Sequence, residues 1–382
     1  MKFIIDCDFD KEIVAAIVEN KLPVTHIVIH APGNPVGNGS EFMPEKLPTY
    51  EEFEEFTKYV LDKGLVPILG VDSTCQGNLE AHMDQYTATK SFFDKVVELG
   101  YKDVLVSSPN ILGYIDMSYP ELNIFLSYSQ QVTSMNRARI FFELGANSIM
   151  IHPDIFKYRR AMTNFPKMMD KFPELTDRSY ILPLNLGCNW GCIYWADHHN
   201  MQSHRTMNSP VYPDQANECA IKGAFDYPML NCWKKRLMHP EEVLKSGWIS
   251  PHDIDEYEAL GYDTFLLLAS GFSAEKVSTI LRAYMDRKYD GTMNGILNIP
   301  KPYGNYWDDQ QLENAMIQLE GSLVKEFCSN IPTNGYYPFE DDLNSYCGES
   351  VKKFNTGNEK QREEILSSLN EEIERIEKGV KI

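Results

Sequence analysis

Short apolar runs alternate with helical patterns through the first 290 residues of the chain. Eight runs read as strands: Lys2–Asp6, His26–His30, Val66–Asp72, Asp103–Ser107, Asn123–Tyr128, Ser148–His152, Ile181–Leu186 and Asp263–Ala269. Each is rich in Ile, Leu or Val and nearly continuous in apolar character, as befits strands covered on both faces. Helical spacing fills the gaps. Phe53, Phe56 and Val60 share one face before the third strand. Met135, Ala138, Phe141 and Phe142 share another after the fifth, with Gly145 as the stop. Val277, Ile280, Leu281 and Tyr284 follow the eighth at i, i+3, i+4, i+7. Ser250 and Pro251 read as an N-cap with proline at the first helical position, and Asp253 suits that first turn. Strand–helix alternation implies a parallel sheet, and eight repeats predict a (β/α)8 TIM-type barrel; an open doubly wound sheet is the competing arrangement.

Two stretches break the rhythm. One, about 188–240, lies between the seventh and eighth strands and is far longer than an ordinary βα loop, a length that usually marks function. The other is the 291–382 extension beyond the 1–290 barrel. It opens on Ile299–Gly304, which reads as an extended linker. It closes on an acidic amphipathic helix carrying Ile365, Leu369, Ile373 and Ile376, expected to cap the barrel or to pair with a second copy in a homo- or heterodimer.

Composition narrows the partners. A hydrophobic fraction of 43% in 382 residues supports a large packed core. A net charge of −19 argues against a nucleic-acid substrate, which needs a basic surface to neutralise phosphates. Asp6, Asp8, Asp10, Lys11 and Glu12 interrupt the opening apolar run, so no signal peptide is expected there. No apolar stretch approaches the roughly 20 residues of a membrane span. A cytoplasmic protein acting on a small molecule or peptide is the expectation.

Barrel active sites form where strands end at their carboxyl side. Those ends carry Asp6, Asp8, His30, Asp72, Ser73, Ser107, Ser108, Ser129, Gln131, His152, Asp154, Asn185, Cys188 and Ser270. Asp8, Ser108 and Ser270 read best as local caps or turn formers. His30 and His152 do not, since histidine is a poor cap, and it titrates near neutrality. Ser129, Gln131, Asp72 and Asn185 are expected to bind substrate.

Eight cysteines occur, and Gly187-Cys188-Asn189-Trp190-Gly191-Cys192 is the sharpest local signal. Two thiols leave the seventh strand for the oversized loop, which also supplies Cys219 and Cys232. Four such donors suit zinc or an iron–sulfur cluster. Cys219 and Cys232 are too far apart for a second zinc knuckle, and the position at the mouth favours a working cofactor. Cys7, Cys328 and Cys347 read as small buried hydrophobes; Cys75 stays open. A nucleophile–base pair is not identifiable.

The run PELNIFLSYSQQVTSMNRARIFFELGANSIMI, residues 120–151, resembles the collagenase-like U32 peptidase family. Members carry a strand, then S-x-Q-x4-N, then a helix ending in L-G-A; here these are Ser129, Gln131, Asn136 and Leu144-Gly145-Ala146. CNWGCIYWADHHNMQSH resembles a non-peptidase branch of the family through an H-x-N-x3-H pattern on His198, Asn200 and His204. The segment from Leu230 matches that branch through Cys232 before a basic helix and W-I-x-P-x-D at Trp248–Asp253. The likeness spans roughly residues 1–290. It implies a barrel, a [4Fe–4S] cluster on Cys188, Cys192, Cys219 and Cys232, and oxygen-independent hydroxylation as one family activity. Peptidase members carry R-E-L after the sixth strand, where this chain has His152-Pro153-Asp154, and their first cysteine pair is spaced more widely. The expectation is therefore an iron–sulfur oxidoreductase with His198, His204, His30, His152 and Asn200 in its site. A U32-type peptidase or hydrolase and a non-catalytic, cluster-bearing partner subunit are the alternatives.

Overall fold

The computed structural model describes residues 1–7, 9–39, 48–211, 226–302, 304, 306–332 and 341–380. Strands β1 (Lys2–Asp6), β2 (Val24–His30), β3 (Val66–Val71), β4 (Asp103–Val106), β5 (Asn123–Leu126), β6 (Ser148–Met150), β7 (Ser179–Pro183) and β8 (Thr264–Leu268) form a closed parallel barrel in sequence order. β8 pairs back to β1, from Lys2 with Thr264 to Asp6 with Leu268.

Successive side chains on a strand face opposite ways, so one apolar run serves two cores. Ile4, Val28, Ile68, Leu105, Phe125, Met150, Ile181 and Leu266 fill the barrel interior. Their neighbours, among them Phe3, Ile5, Ile27, Leu69, Val104, Ile124, Leu182 and Phe265, pack against the surrounding helices. This double burial is why the runs do not alternate with polar residues. Fully burying each such side chain is worth about 1.5–3 kcal/mol.

Helices α1 (Lys11–Glu19), α2 (Tyr50–Asp62), α3 (Met83–Glu98), α4 (Pro109–Ser118), α5 (Met135–Glu143) and α6 (Arg159–Lys171) connect the first seven strands. The long segment after β7 folds into α7 (Trp195–Thr206), α8 (Tyr227–Met238), α9 (Glu241–Lys245) and α10 (Ile254–Ala259). After β8 come α11 (Ala274–Asp286), α12 (Asp309–Ala315), α13 (Gly321–Ser329), α14 (Asp341–Ser350) and α15 (Glu359–Val380). Ser250 does cap the turn at Pro251, and Asp253 turns inward to an ion pair with Arg159 at 2.7 Å.

Residues beyond β8 are woven into the barrel. Met293, Ile296, Leu297, Ile317 and Leu319 join the main core, and Leu186 at the exit of β7 bridges to Asn298. Ile365, Leu369, Ile373 and Ile376 of α15 bury against Leu230, Trp233 and Leu237 of α8 and Leu312 and Ala315 of α12. The apolar stripe of α15 therefore covers the segment after β7. The glycine-rich Gly33–Gly39 loop is pinned. The Asn34 side chain accepts from the Val36 and Gly37 amides, and the Thr206 hydroxyl accepts from the Asn38 amide at 2.8 Å. Among the described residues no helix is long and apolar enough to cross a membrane.

Candidate active site at the barrel mouth

One step of two residues up from the apolar interior changes the chemistry of six of the eight strands. Above Ile4 stands Asp6, above Val28 His30, above Ile68 Gly70, above Leu105 Ser107, above Phe125 Ser127 and above Met150 His152. The sheet thus aims a polar layer at its C-terminal opening. His30 Nε2 lies 3.2 Å from Asp6 Oδ2, and its Nδ1 faces Asp72 Oδ1 at 3.8 Å. Asp72 accepts from the Gly39 amide at 3.0 Å and from the Ser127 hydroxyl at 3.1 Å. Ser129 continues the chain, 3.2 Å from Ser127 Oγ and 2.5 Å from Ser107 Oγ. Asp6 Oδ1 is buried with no partner among the described residues. Gly70 makes room for the histidine: a Cβ there would sit 2.3 Å from His30 Nδ1.

Helix α7 roofs this floor. Trp195, His199, Gln202, Ser203 and Thr206 form its buried face. The Trp195 indole donates to the Ser129 carbonyl at 3.0 Å and meets the His152 ring edge-on at 4.3 Å. Burial lowers His152 to about 3, and burial, helped by neighbouring His198, lowers His199 to about 3. Both imidazoles are therefore neutral near pH 7.

At the start of α7, Cys188, Cys192 and Cys232 line one small pocket with His198, Trp195 and Met229. Burial, then the Cys232 thiol, pushes Cys192 up to about 11. Asn189 Nδ2 approaches Cys232 Sγ at 3.3 Å and Arg236 Nη2 does so at 3.7 Å. Cys219 lies outside the described residues, as does Asp8. Among the described residues no three or more Cys, His, Asp or Glu side chains converge as a metal site.

The H-x-N-x3-H residues divide between two places. Burial lowers His198, beside the cysteines, to about 4. Asn200 and His204 face the loop after β3: Thr74 Oγ1 donates to Asn200 Oδ1 at 2.7 Å, and His204 Nε2 lies 3.2 Å from Cys75 Sγ. Of the other expected residues, Asn185 is engaged by backbone, donating to the Leu268 and Ile296 carbonyls and accepting from the Leu268 amide. Gln131 is exposed in a left-handed turn at φ 50°. Asp154 accepts from the Gly191 amide at 3.2 Å, tying the cysteine loop to β6. Ser127 and His199 escaped the sequence reading. A two-residue step beyond the β5 interior would have found Ser127, and the i, i+4 spacing from Trp195 would have found His199.

No family model matches the chain. It is 20% identical over 271 residues to the uncharacterized protease MJ1657 of Methanocaldococcus jannaschii, covering 70% of this chain and 75% of that protein. The solved structure of the U32 peptidase Mk0906 superposes with a TM-score of 0.51 at 18% identity, covering 71% of this chain and 93% of that one. The chain therefore shares its fold with a U32 peptidase and is distantly similar in sequence to a protein named as a protease. This corrects the expected activity. Both relatives carry peptidase or protease names, so the expectation of an iron–sulfur oxidoreductase is overturned in favour of its hydrolase alternative.

Proposed function

We propose that this chain is a peptidase-type hydrolase that cleaves an amide bond at the C-terminal mouth of its barrel. The observation that carries the reading is the chain Ser107–Ser129–Ser127–Asp72–His30–Asp6, which lines the mouth under α7 and ends in a buried carboxylate oxygen unpartnered among the described residues. A buried acceptor without a partner costs about 1–3 kcal/mol, so such an atom marks a place where a ligand donor belongs. A peptide N–H or an attacking water suits Asp6 Oδ1. The His30 ring, set between two carboxylates, is oriented to exchange a proton with what binds there. The names of the two relatives support the same reaction class.

The test is direct. The full chain is incubated with a mixed peptide library, and new termini are read by mass spectrometry, with His30→Ala as the comparison. Cleavage by the native protein that falls at least about 100-fold in the variant is expected, the usual scale of lost acid–base assistance. A library left intact under aerobic and anaerobic conditions alike would sink the proposal.

We further propose that the cysteine pocket holds the [4Fe–4S] cluster on Cys188, Cys192 and Cys232, with Cys219 as fourth ligand. The donor chemistry fits: three thiols line one pocket, and N–H groups of Asn189 and Arg236 point at a sulfur, the contacts that stabilise thiolate charge around a cluster. The Cys192 thiol, pushed up by burial, needs such a positive centre to ionise. When bound, the cluster would cross-link the β7 exit to α8 and so fix the roof over the mouth. Anaerobically purified protein should contain about four iron and four sulfide per chain. Stoichiometric zinc without sulfide would reverse this assignment.

A further inference from the structure

The loop after β3 and one edge of α7 meet at a contact that the polar floor does not use. Asn200, Ser203 and His204 stand at i, i+3 and i+4, hence on one side of the helix. Ser203 Oγ accepts from the Thr74 amide at 2.9 Å, and Asn200 Oδ1 accepts from the Thr74 hydroxyl at 2.7 Å. The Ser73 hydroxyl donates to the Cys75 carbonyl at 3.0 Å, which fixes the turn that follows. Held in this way, Cys75 Sγ sits 3.2 Å from His204 Nε2 and accepts from the Gly77 amide at 3.4 Å. Both side chains are partly open to solvent.

We propose that Cys75 and His204 form a thiol–imidazole pair in which the sulfur is a nucleophile toward acyl carbon and the imidazole is its base. The role rests on the hydrolase reading above and makes a thiol, rather than water, the first attacking group. Three observations favour it over packing. Cys7, Cys328 and Cys347 are buried within the apolar core, whereas Cys75 is accessible and makes two polar contacts through sulfur. Burial lowers His204, which favours the neutral imidazole that a general base requires. The pair also spans the exit of one strand and the roof helix, so an acyl group reaching it lies at the barrel mouth.

The chemistry balances without a further reagent. As sulfur attacks the carbonyl carbon, a C–S bond forms, the carbonyl π pair moves to oxygen, and His204 takes the thiol proton. Collapse breaks the C–N bond, and the proton passes from His204 to the departing amine. Water then attacks the thioester, giving a proton to His204. The C–S bond breaks, the acid leaves, and the thiol is reprotonated.

The experiment uses the anaerobically purified full chain and two probes, iodoacetamide and 4-nitrophenyl acetate, with modification at Cys75 followed by peptide mass spectrometry. Iodoacetamide should label Cys75 at pH 7 at least about 10-fold faster than the same site in His204→Gln, since the thiolate is the reactive form. The ester should leave an acetyl group on Cys75, and Cys75→Ser should retain its melting temperature and lose at least about 100-fold in ester turnover. Equal labelling rates in native and His204→Gln protein, or unchanged turnover in Cys75→Ser, would overturn the pair. Should His204→Gln fail to fold, acetylation of the native thiol and the Cys75→Ser comparison decide alone. The hydrolase reading fails separately. Coupled labelling with no peptide cleaved establishes the pair and removes the peptidase assignment, whereas peptide cleavage that survives Cys75→Ser removes the pair and keeps the hydrolase.

Discussion

Asp72→Ala should lower kcat/KM for peptide cleavage by about 10²–10⁴ while leaving the barrel folded. Asp72 is the junction of the mouth. It faces His30 at 3.8 Å, takes the Ser127 hydroxyl at 3.1 Å, and pins Gly39 of the loop after β2 at 3.0 Å. Truncation frees one side of the His30 ring, unties the serine chain and releases the loop at once. The residue is only 5% exposed, so solvent does not replace the lost acceptor. Its surroundings are other polar side chains rather than the apolar interior, so the stability loss should stay within about 1–3 kcal/mol, the cost of leaving buried donors unmatched. Asp72→Asn discriminates further. It keeps the shape and an acceptor for Gly39 but removes the charge opposite His30, so activity should fall while the melting temperature moves little. Native-like turnover in both variants would take Asp72 and its network out of the reaction.

The barrel was legible because its strands carry one physical signature, burial on both faces, that survives in the bare sequence. The boundaries moved where local polar groups intervened. β5 stops at Leu126 because Ser127 caps the tight turn at Tyr128–Gln130, and β7 ends at Pro183, after which Leu186 pairs with Asn298 instead of a strand. The site was half legible. Strand ends gave Asp6, His30, Asp72, Ser107, Ser129 and His152, because a barrel must bring them to one rim. Contacts made by α7 could not be read in the same way. The helix pattern alone does not say which side of α7 meets the loop after β3, so Cys75 and His204, which are 129 residues apart, carried no sign of their contact. Asn185 shows the converse. Its position at a strand end fits substrate binding, but the tail at Ile296 and the end of β8 occupy its amide.

Stability should fall steeply as pH drops below 6.5, and the mouth histidines should be the reason. His152 and His199 are 4% and 1% exposed and are both lowered to about 3, from an ordinary value of 6.5. Between those limits the unfolded chain binds a proton at each and the native chain does not, and His198, lowered to about 4, behaves the same way down to that value, so unfolding gains three protons and stability rises with pH. Asp154 acts the other way. Burial raises it to about 6, so from about 4 to 6 the native chain holds a proton that the unfolded chain has lost. The net is about two protons between pH 4 and 6, or about 2.7 kcal/mol per pH unit, and about three protons just above pH 6 until the unfolded histidines deprotonate. Urea melts at pH 7, 6, 5 and 4 measure this slope. His152→Phe keeps a ring against Trp195 and removes one titrating group, so it should cut the dependence between pH 4 and 6 to about one proton. Asp154→Asn should steepen the native dependence to about three protons. An unchanged slope in His152→Phe would mean that the imidazole is solvated in the folded chain, contrary to its place under the roof of α7.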